Sequence, residues 1–253
     1  MSKSKIEWTE STWNPVTGCS KVSEGCRNCY AEVMSRRLMA MGQQKYRNGF
    51  GLTLHSEALS EPESVTKPTM FFVCSMGDLF HAGVPFWFID SVMSRIERCR
   101  QHTFQILTKR PENMYDFFRL NRPVPENAWI GTTVECADTK CRIDTLHRIG
   151  EFNNRRWKVT RFLSCEPLLS DLGELNLEGI DMVIVGGESG TKARPMKKEW
   201  VLNIKRQCEE QGVAFFFKQW GTYGEDGVKR NKKANGCLLD GVEYKQMPKG
   251  GEK

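Results

Sequence analysis

Three cysteines crowded into one short segment are the feature of this sequence that could do chemistry. Cys19, Cys26 and Cys29 lie in the run GCSKVSEGCRNCY, whose glycine and polar residues are typical of a loop. Thiolates at this spacing can bind one metal centre. A structural zinc site normally has four protein ligands, whereas three ligands leave one coordination position open. With thiolates only, an iron–sulfur cluster with one accessible iron becomes a candidate.

The spacing of the cysteines alone does not distinguish an iron–sulfur cluster from zinc. A distant histidine, such as His55 or His81, could complete a four-coordinate zinc site. The other members of the 10 cysteines are scattered among apolar or helical-looking residues, where free cysteine behaves as a small core residue. Disulfides are not expected, because disulfide frameworks belong to small secreted domains.

Composition limits the class of protein. At 253 residues and 39% hydrophobic content, the chain can bury a sizeable core. We expect a cytoplasmic protein, because the N-terminus is too polar for a signal peptide and the longest apolar runs are too short to span a membrane. The formal net charge of +6 permits a phosphate-bearing partner without requiring one.

Short apolar runs alternate with helical patterns along most of the chain. The runs have the length and composition of strands buried on both faces. Strands are predicted over 70–74, 103–107, 128–131, 161–164, 182–185 and 213–217. Helices are predicted over 31–41, 85–100, 111–120, 139–149 and 197–211. This alternation predicts an α/β fold with a parallel sheet.

Polar residues follow each of these predicted strands. A barrel places its functional residues at the C-terminal ends of several different strands. An open doubly wound sheet would need a glycine-rich phosphate loop after its first strand, and Gly186-Gly187 comes too late in the chain. We therefore expect a complete or partial barrel with functional side chains gathered at one face.

Several longer motifs resemble those of a known family. They are WNPVTGC at 13–19, SMGDLFH at 75–81, LTKRPE at 107–112, FLSCEPL at 162–168, VGGESG at 185–190 and FFKQWG at 216–221. The chain resembles, from about residue 8 to residue 248, a phage-associated family of three-cysteine proteins related to the radical S-adenosylmethionine (SAM) enzymes. The resemblance implies a partial TIM-type barrel, a 4Fe-4S cluster on Cys19, Cys26 and Cys29, and SAM on the open iron. One departure is the gap between Cys19 and Cys26, which is longer than in most radical SAM enzymes.

The resemblance also implies which residues contact SAM. Superfamily members bind the amino group of SAM near the end of the second strand, where Ser75, Gly77 and Asp78 lie in this sequence. Asp78 is the best acceptor for the ammonium, although it could instead cap the following helix. Tyr30 would contact the adenine, or could be a core aromatic residue at a helix start.

Further candidate residues lie at the other strand ends. Gly186 and Gly187 would let the backbone approach the ligand closely, and Glu188 would hold a ribose hydroxyl or the substrate. The candidate catalytic residues are Lys109, Glu135 and Glu166, and any of these could instead belong to a structural ion pair. The candidate substrate contacts are His81, Lys218, Gln219 and Trp220.

The implied reaction is cleavage of SAM followed by rearrangement of a nucleobase derivative. Within the resemblance, the best match is an amino acid substituent on a thymine methylene in phage DNA, whose attachment shifts from nitrogen to carbon. The implied partners are a nucleotide or DNA substrate and an electron donor such as flavodoxin or ferredoxin, in the host cytoplasm if the protein is phage-encoded. The alternatives are a zinc-binding nucleic-acid adaptor without catalysis and a nucleotide-binding α/β hydrolase or transferase.

The composition changes after residue 221. We expect a barrel domain over 1–221 and a C-terminal extension over 222–253 that is rich in glycine, lysine and asparagine. Asp240-Gly241 between two apolar runs predicts a β-hairpin. The segment 229–233 is predicted to be a mobile basic loop near the rim of the active site.

Overall fold

The secondary structure alternates between strands and helices as the sequence predicts. The computed structural model describes residues 4–149 and 157–248, so the last five residues of the predicted extension lie outside it. The strands are β1 (Ser11–Trp13), β2 (Val16–Thr17), β3 (Thr53–Leu54), β4 (Met70–Val73), β5 (Thr103–Thr108), β6 (Ala128–Thr133), β7 (Thr160–Cys165), β8 (Met182–Gly186), β9 (Ala214–Gln219), β10 (Leu238–Leu239) and β11 (Val242–Glu243). The helices are α1 (Tyr30–Ala40), α2 (Phe86–Arg98), α3 (Pro111–Leu120), α4 (Cys141–Ile149), α5 (Lys198–Glu210) and α6 (Lys232–Asn235).

Seven of the strands belong to one sheet, in the order β1-β4-β5-β6-β7-β8-β9. The pairs β1–β4, β4–β5, β7–β8 and β8–β9 are parallel. Helices α2, α3, α4 and α5 connect consecutive strands of this sheet, as parallel strands require. The predicted α/β fold of the partial TIM type is confirmed. The sequence analysis missed β1, because three residues are too few to give a recognisable strand pattern.

The chain divides into two compact units, of which the first comprises Met1–Gly131 and Arg148–Val159. Aromatic side chains form the centre of its core. The rings of Phe71 and Phe104 stack with their centroids 5.4 Å apart, and Trp13 meets Phe104 edge-on at 5.7 Å. Helix α2 buries residues 88, 89, 92, 93 and 96, the spacing of one helical face against this core.

The second unit comprises Thr132–His147 and Thr160–Lys253. Every residue of β8 is buried, as expected for a central strand covered on both faces. The predicted hairpin is confirmed, because β10 and β11 pair in antiparallel fashion around Asp240 and Gly241. Both turn residues have positive φ, 52° and 76°, as in the type I′ turn that Asp-Gly favours in two-residue hairpins.

The basic segment 229–233 contains ordered contacts in this unit. Arg230 donates to both carboxylate oxygens of Asp226, at 2.8 and 2.5 Å. Lys229 Nζ donates to the carbonyl oxygen of Thr191, and α6 begins at Lys232. Part of the positive charge of this segment is therefore balanced by Asp226.

No helix among the described residues combines the length and the apolar character needed to cross a membrane.

The cysteines outside the 19–29 segment differ in burial, which predicts their reactivity. Cys74, Cys99, Cys165 and Cys208 are buried as the sequence analysis expects, whereas Cys136 and Cys237 are half-buried and Cys141 is exposed. Burial raises the pKa of Cys74 to about 12 and that of Cys208 to about 12. A buried thiol is inert because it is neither ionised nor accessible.

We expect brief iodoacetamide treatment of the native protein at mildly alkaline pH to label Cys141 and to leave Cys74, Cys165 and Cys208 unlabelled. Peptide mass spectrometry measures the labelling at each site. The same treatment in denaturant is the control and should label every cysteine. Equal labelling rates at Cys74 and Cys141 in the native protein would contradict this packing.

Candidate functional site

The three candidate ligands lie between β2 and α1, in the first unit. Cys19 lies two residues after the end of β2, Cys26 ends a short 3₁₀ turn, and Cys29 occupies the N-cap position of α1 without a side-chain capping hydrogen bond. All three thiols are half-buried. Within residues 4–149 and 157–248, no three side chains from His, Cys, Asp and Glu are grouped closely enough to hold a metal ion. The thiols are therefore near one another in the chain without being gathered at one point.

Backbone hydrogen bonds hold the start of this cysteine loop, which we define as residues 18–29. The N–H of Gly18 donates to the carbonyl oxygen of Met76 at 2.9 Å. The N–H of Cys19 donates to the carbonyl oxygen of Phe50 at 3.2 Å. Cys19 is thus fixed from two sides by segments distant in the sequence.

Two glycines make this close backbone approach possible. Gly18 has a φ of +80°, and a Cβ on it would lie 2.3 Å from the carbonyl oxygen of Gly51. A Cβ on Gly77 would lie 2.9 Å from the carbonyl oxygen of Val16. Gly77, a predicted SAM contact, therefore has a packing role beside the cysteine loop.

Arg110 joins the cysteine loop to the segment that follows β4. Its Nη1 donates to Sγ of Cys19 at 3.3 Å and to Oδ2 of Asp78 at 2.9 Å. Its Nη2 donates to the carbonyl oxygen of Ser20 at 2.9 Å and to the Ser20 hydroxyl at 3.0 Å. One guanidinium therefore contacts a candidate cluster ligand, the residue after it and a carboxylate.

Asp78, the predicted acceptor for the SAM ammonium, is buried and already has several donors. Its Oδ1 accepts hydrogen bonds from the Thr108 hydroxyl at 2.7 Å and from the N–H of Phe80 at 3.0 Å. Its Oδ2 accepts from Arg110 and, at 3.4 Å, from the N–H of Lys109. These contacts make Asp78 the partner of Arg110, and its role toward SAM stays a prediction.

Burial and the two neighbouring charges act on the pKa of the Cys19 thiol, and only Arg110 opposes the effect of burial. Burial raises the pKa of Cys19, and the Asp78 carboxylate raises it further, whereas the Arg110 guanidinium lowers it. Burial lowers the pKa of Arg110, but Asp78 and Cys19 outweigh this effect, and the pKa is raised overall. The pKa of Cys19 is raised overall, and the charged Arg110 makes this rise smaller than burial and Asp78 alone would cause.

His81 belongs to the same network. Its Nδ1 accepts a hydrogen bond from the N–H of Gly83 at 3.0 Å, which leaves the proton on Nε2. Nε2 lies 2.9 Å from the Ser20 hydroxyl and donates to it. Burial, followed by the charge of Arg110, lowers the pKa of His81. His81, a predicted substrate contact, therefore lies at the cysteine loop, where its neutral ring donates a hydrogen bond to Ser20.

The remaining predicted residues of the first unit lie nearby or at its surface. Ser75 donates through its hydroxyl to Oδ1 of Asn14 at 3.2 Å, and the same oxygen accepts from the N–H of Met76. Tyr30 begins α1 and is 64% exposed. The exposed ring of Tyr30 is open to a ligand and is not a core aromatic residue.

In the second unit, the predicted catalytic carboxylates have basic partners. Glu135 is fully buried and accepts from Arg142 at 2.8 Å, and Arg142 also donates to the carbonyl oxygen of Thr133. Glu166 lies 2.8 Å from Nζ of Lys218, with their side chains 14% and 18% exposed. The Glu166–Lys218 pair is thus partly accessible, whereas Glu135 is not.

Glu188 is bound by a single arginine. Its Oε2 accepts from the backbone N–H and from Nε of Arg194, and its Oε1 accepts from Nη2, all at 2.8 to 2.9 Å. Packing requires glycine at Gly187, where the nearest atom is backbone, whereas at Gly186 the nearest atom is the end of a flexible side chain. A Cβ on Gly186 would lie 2.8 Å from Oε1 of Glu166, and one on Gly187 would lie 1.9 Å from the carbonyl oxygen of Trp220.

The two remaining predicted substrate contacts follow Lys218. Trp220 is buried and donates through its indole N–H to the carbonyl oxygen of Leu238 at 2.7 Å. Gln219 donates to the carbonyl oxygen of Gly187 and to the Ser189 hydroxyl. Within the described part of the chain, its buried Oε1 has no hydrogen-bond partner. Burial of this oxygen keeps it from contact with a ligand in this conformation.

Sequence reasoning missed Arg110, Arg142 and Arg194, the basic partners in these networks. For Arg110, the sequence contains a pattern that indicates burial of its side chain. Thr108 ends β5 as a buried residue, and strand alternation then points the side chain two residues later to the same side, so Arg110 rather than Lys109 is buried. Arg142 and Arg194 carry no such local signal.

The cysteine loop fits an iron–sulfur cluster in its chemistry. Its donors are thiols, which such clusters bind. They are half-buried, so that a cluster could be protected on one side and reached by a cofactor on the other. The guanidinium of Arg110 donates a hydrogen bond to Sγ of Cys19, which is compatible with a sulfur that carries negative charge as a cluster ligand.

Comparisons with known proteins give a family and a fold likeness. A family model described as "Protein of unknown function (DUF5131)" matches residues 3–248. No curated protein matches the chain. Among solved structures, the chain is similar to spore photoproduct lyase complexed with dinucleoside spore photoproduct (11% identity, TM-score 0.47), and to a cysteine-to-serine variant of that lyase (12%, 0.47). The likeness covers 83% of this chain and 63% of the lyase chains, so the chain spans less than two thirds of their length.

We expect Gly18→Ala to disrupt the cysteine loop more than a matched glycine substitution does. Gly42→Ala is the control, because Gly42 also has a positive φ, +73°, but nothing lies within 4 Å of a Cβ there. The positive φ costs each variant about 1–2 kcal/mol, and the clash at Gly18 adds about 1–3 kcal/mol. Urea unfolding measures both changes, and equal losses of unfolding free energy would show that the backbone approach at Gly18 is dispensable.

Proposed function

This chain belongs to the DUF5131 family, and we propose that it is a radical SAM enzyme that acts on a nucleobase derivative. The observation that carries the proposal is the cysteine loop, which contains three half-buried cysteines, of which Cys19 accepts a hydrogen bond from the guanidinium of Arg110. The motif resemblance over most of the chain supports the same cofactor.

The chain's own residues have separate tasks in this proposal. Cys19, Cys26 and Cys29 would hold a 4Fe-4S cluster with SAM on its open iron. When bound, the cluster supplies the electron that cleaves SAM and so begins radical chemistry on the substrate. Asp78 keeps Arg110 in place, and the exposed ring of Tyr30 offers a surface for the adenine.

The predicted catalytic carboxylates are not equivalent. Glu135 has no exposed surface and is held by Arg142, so we assign it a structural role in the second unit. Glu166 and Lys218 are partly exposed and lie 2.8 Å apart, so they are the better candidates to hold or move a proton. Lys109 and Glu188 remain candidates for contacts with substrate or SAM.

The Glu166–Lys218 pair also supports an amino acid-substituted nucleobase as the substrate. The amino acid portion carries an ammonium and a carboxylate, and the pair offers one charge of each sign at close distance. We propose an amino acid-substituted thymine in phage DNA, whose attachment shifts from nitrogen to carbon. The net charge of +6 suits a phosphate-bearing substrate, and a flavodoxin or ferredoxin would supply electrons.

The cluster is tested by replacing each ligand with alanine after anaerobic reconstitution with iron and sulfide. We expect the unaltered protein to bind about four irons and four sulfides per chain, and Cys19→Ala, Cys26→Ala and Cys29→Ala to lose most of them. Cys141→Ala, at the exposed cysteine, is the control and should keep them. Stoichiometric zinc in place of iron, with no cleavage of SAM by the reduced protein, would support the nucleic-acid adaptor instead.

The substrate pair is tested with Lys218→Met. We expect KM for an amino acid-substituted thymidine nucleotide to rise roughly tenfold to hundredfold, because a hydrogen bond to a charged group contributes about 1.5–3 kcal/mol. SAM cleavage without substrate should not change. Lys205→Met, which removes a surface ion pair with Glu209, is the control. A parallel loss of both activities in Lys218→Met would show that the pair supports the fold.

A further inference from the structure

We propose that Arg110 is a positioning residue that orients Cys19 as a cluster ligand and raises the reduction potential of the cluster. This inference rests on the proposed function, because it assigns a property to the cluster that the cysteine loop would hold.

The first argument is the number of groups that one side chain holds. Arg110 contacts Sγ of Cys19, both oxygens of Ser20 and the carboxylate of Asp78, all within 3.3 Å. A guanidinium presents its N–H donors in a rigid fork, whereas a lysine ammonium is a single point at the end of a flexible chain. Only arginine can therefore keep the sulfur, the loop backbone and the carboxylate in one arrangement.

The second argument is the direction of the charge. Asp78 is held by the Thr108 hydroxyl and by the N–H of Phe80, and it binds the same Nη1 that faces Cys19. The ion pair thus has a fixed orientation, with its positive end toward the sulfur. Partners outside the ligands commonly fix the orientation of metal ligands in this way.

The third argument is a difference between two of the cysteines. Sγ of Cys19 receives a charged donor, whereas Sγ of Cys26 lies 3.9 Å from the neutral hydroxyl of Ser23. Reduction adds negative charge to a cluster, so a nearby guanidinium that donates to a ligand sulfur stabilises the reduced form more than the oxidised form. The potential therefore depends on Arg110 through Cys19.

The test uses Arg110→Gln and Arg110→Lys after anaerobic reconstitution. Arg122→Gln is the matched control, since Arg122 is a similarly buried arginine in the same unit that pairs with Asp90 and Glu97. A redox titration followed by electron paramagnetic resonance, without SAM, gives the midpoint potential. Hydrogen exchange of the peptide containing residues 18–29, before reconstitution, reports on the loop itself.

We expect Arg110→Gln to lower the midpoint potential, so that the ratio of reduced to oxidised cluster at the wild-type midpoint falls about tenfold, which corresponds to 59 mV for one electron. Arg110→Lys keeps the charge, so we expect a smaller fall. Both variants should speed hydrogen exchange in the loop, and Arg122→Gln should change neither quantity. If Arg110→Gln does not fold, the potential and loop exchange of Arg110→Lys decide the matter.

The outcomes separate this inference from the proposed function. A normal cluster with an unchanged potential in both Arg110 variants overturns the role of Arg110 and leaves the radical SAM assignment standing. An equal fall in Arg122→Gln also overturns it, because the effect is then not local. A wild-type protein that takes up no cluster overturns both.

Discussion

The buried ion pair between Asp78 and Arg110 is the interaction on which the cysteine loop depends. Taking two such charges out of water costs several kcal/mol per ion, which their attraction offsets only when the remaining hydrogen-bonding groups are satisfied. The Thr108 hydroxyl donates a further hydrogen bond to the Asp78 carboxylate, and the carbonyl oxygen of Ser20 accepts one from the Arg110 guanidinium. Removing either charge would leave the other uncompensated, at a cost of about 3–5 kcal/mol. Because Arg110 both binds the loop at Ser20 and carries the charge beside Cys19, loss of the ion pair would change the loop conformation and this charge together.

The cysteine loop is held by the fold at its two ends. Gly18 and Cys19 are held by backbone hydrogen bonds, and Cys29 lies at the start of α1. Lengthening a loop between fixed ends adds little entropy cost. The long gap between Cys19 and Cys26 therefore adds little to the cost of ordering this loop.

The second unit also contains pairs of a carboxylate and a basic side chain, and these pairs differ in their exposure to solvent. A fully buried carboxylate such as Glu135 needs the arginine beside it to offset the cost of its burial, and it is unable to meet a substrate. Glu166 and Lys218 keep some contact with solvent, so a ligand can compete for either partner. Burial, rather than residue type, is what separates a structural carboxylate from a candidate functional one.

The sequence by itself determined the order of strands and helices and the hairpin at Asp240-Gly241, because buried strands and tight turns are encoded by neighbouring residues. It also located the three cysteines, whose spacing is local. The basic partners were decided only by the tertiary structure. Arg110 meets Cys19 across 91 positions of the sequence, and no local pattern specifies which base reaches which acid or thiol at that separation. The burial that distinguishes Glu135 from Glu166 likewise arises only when the strands pack.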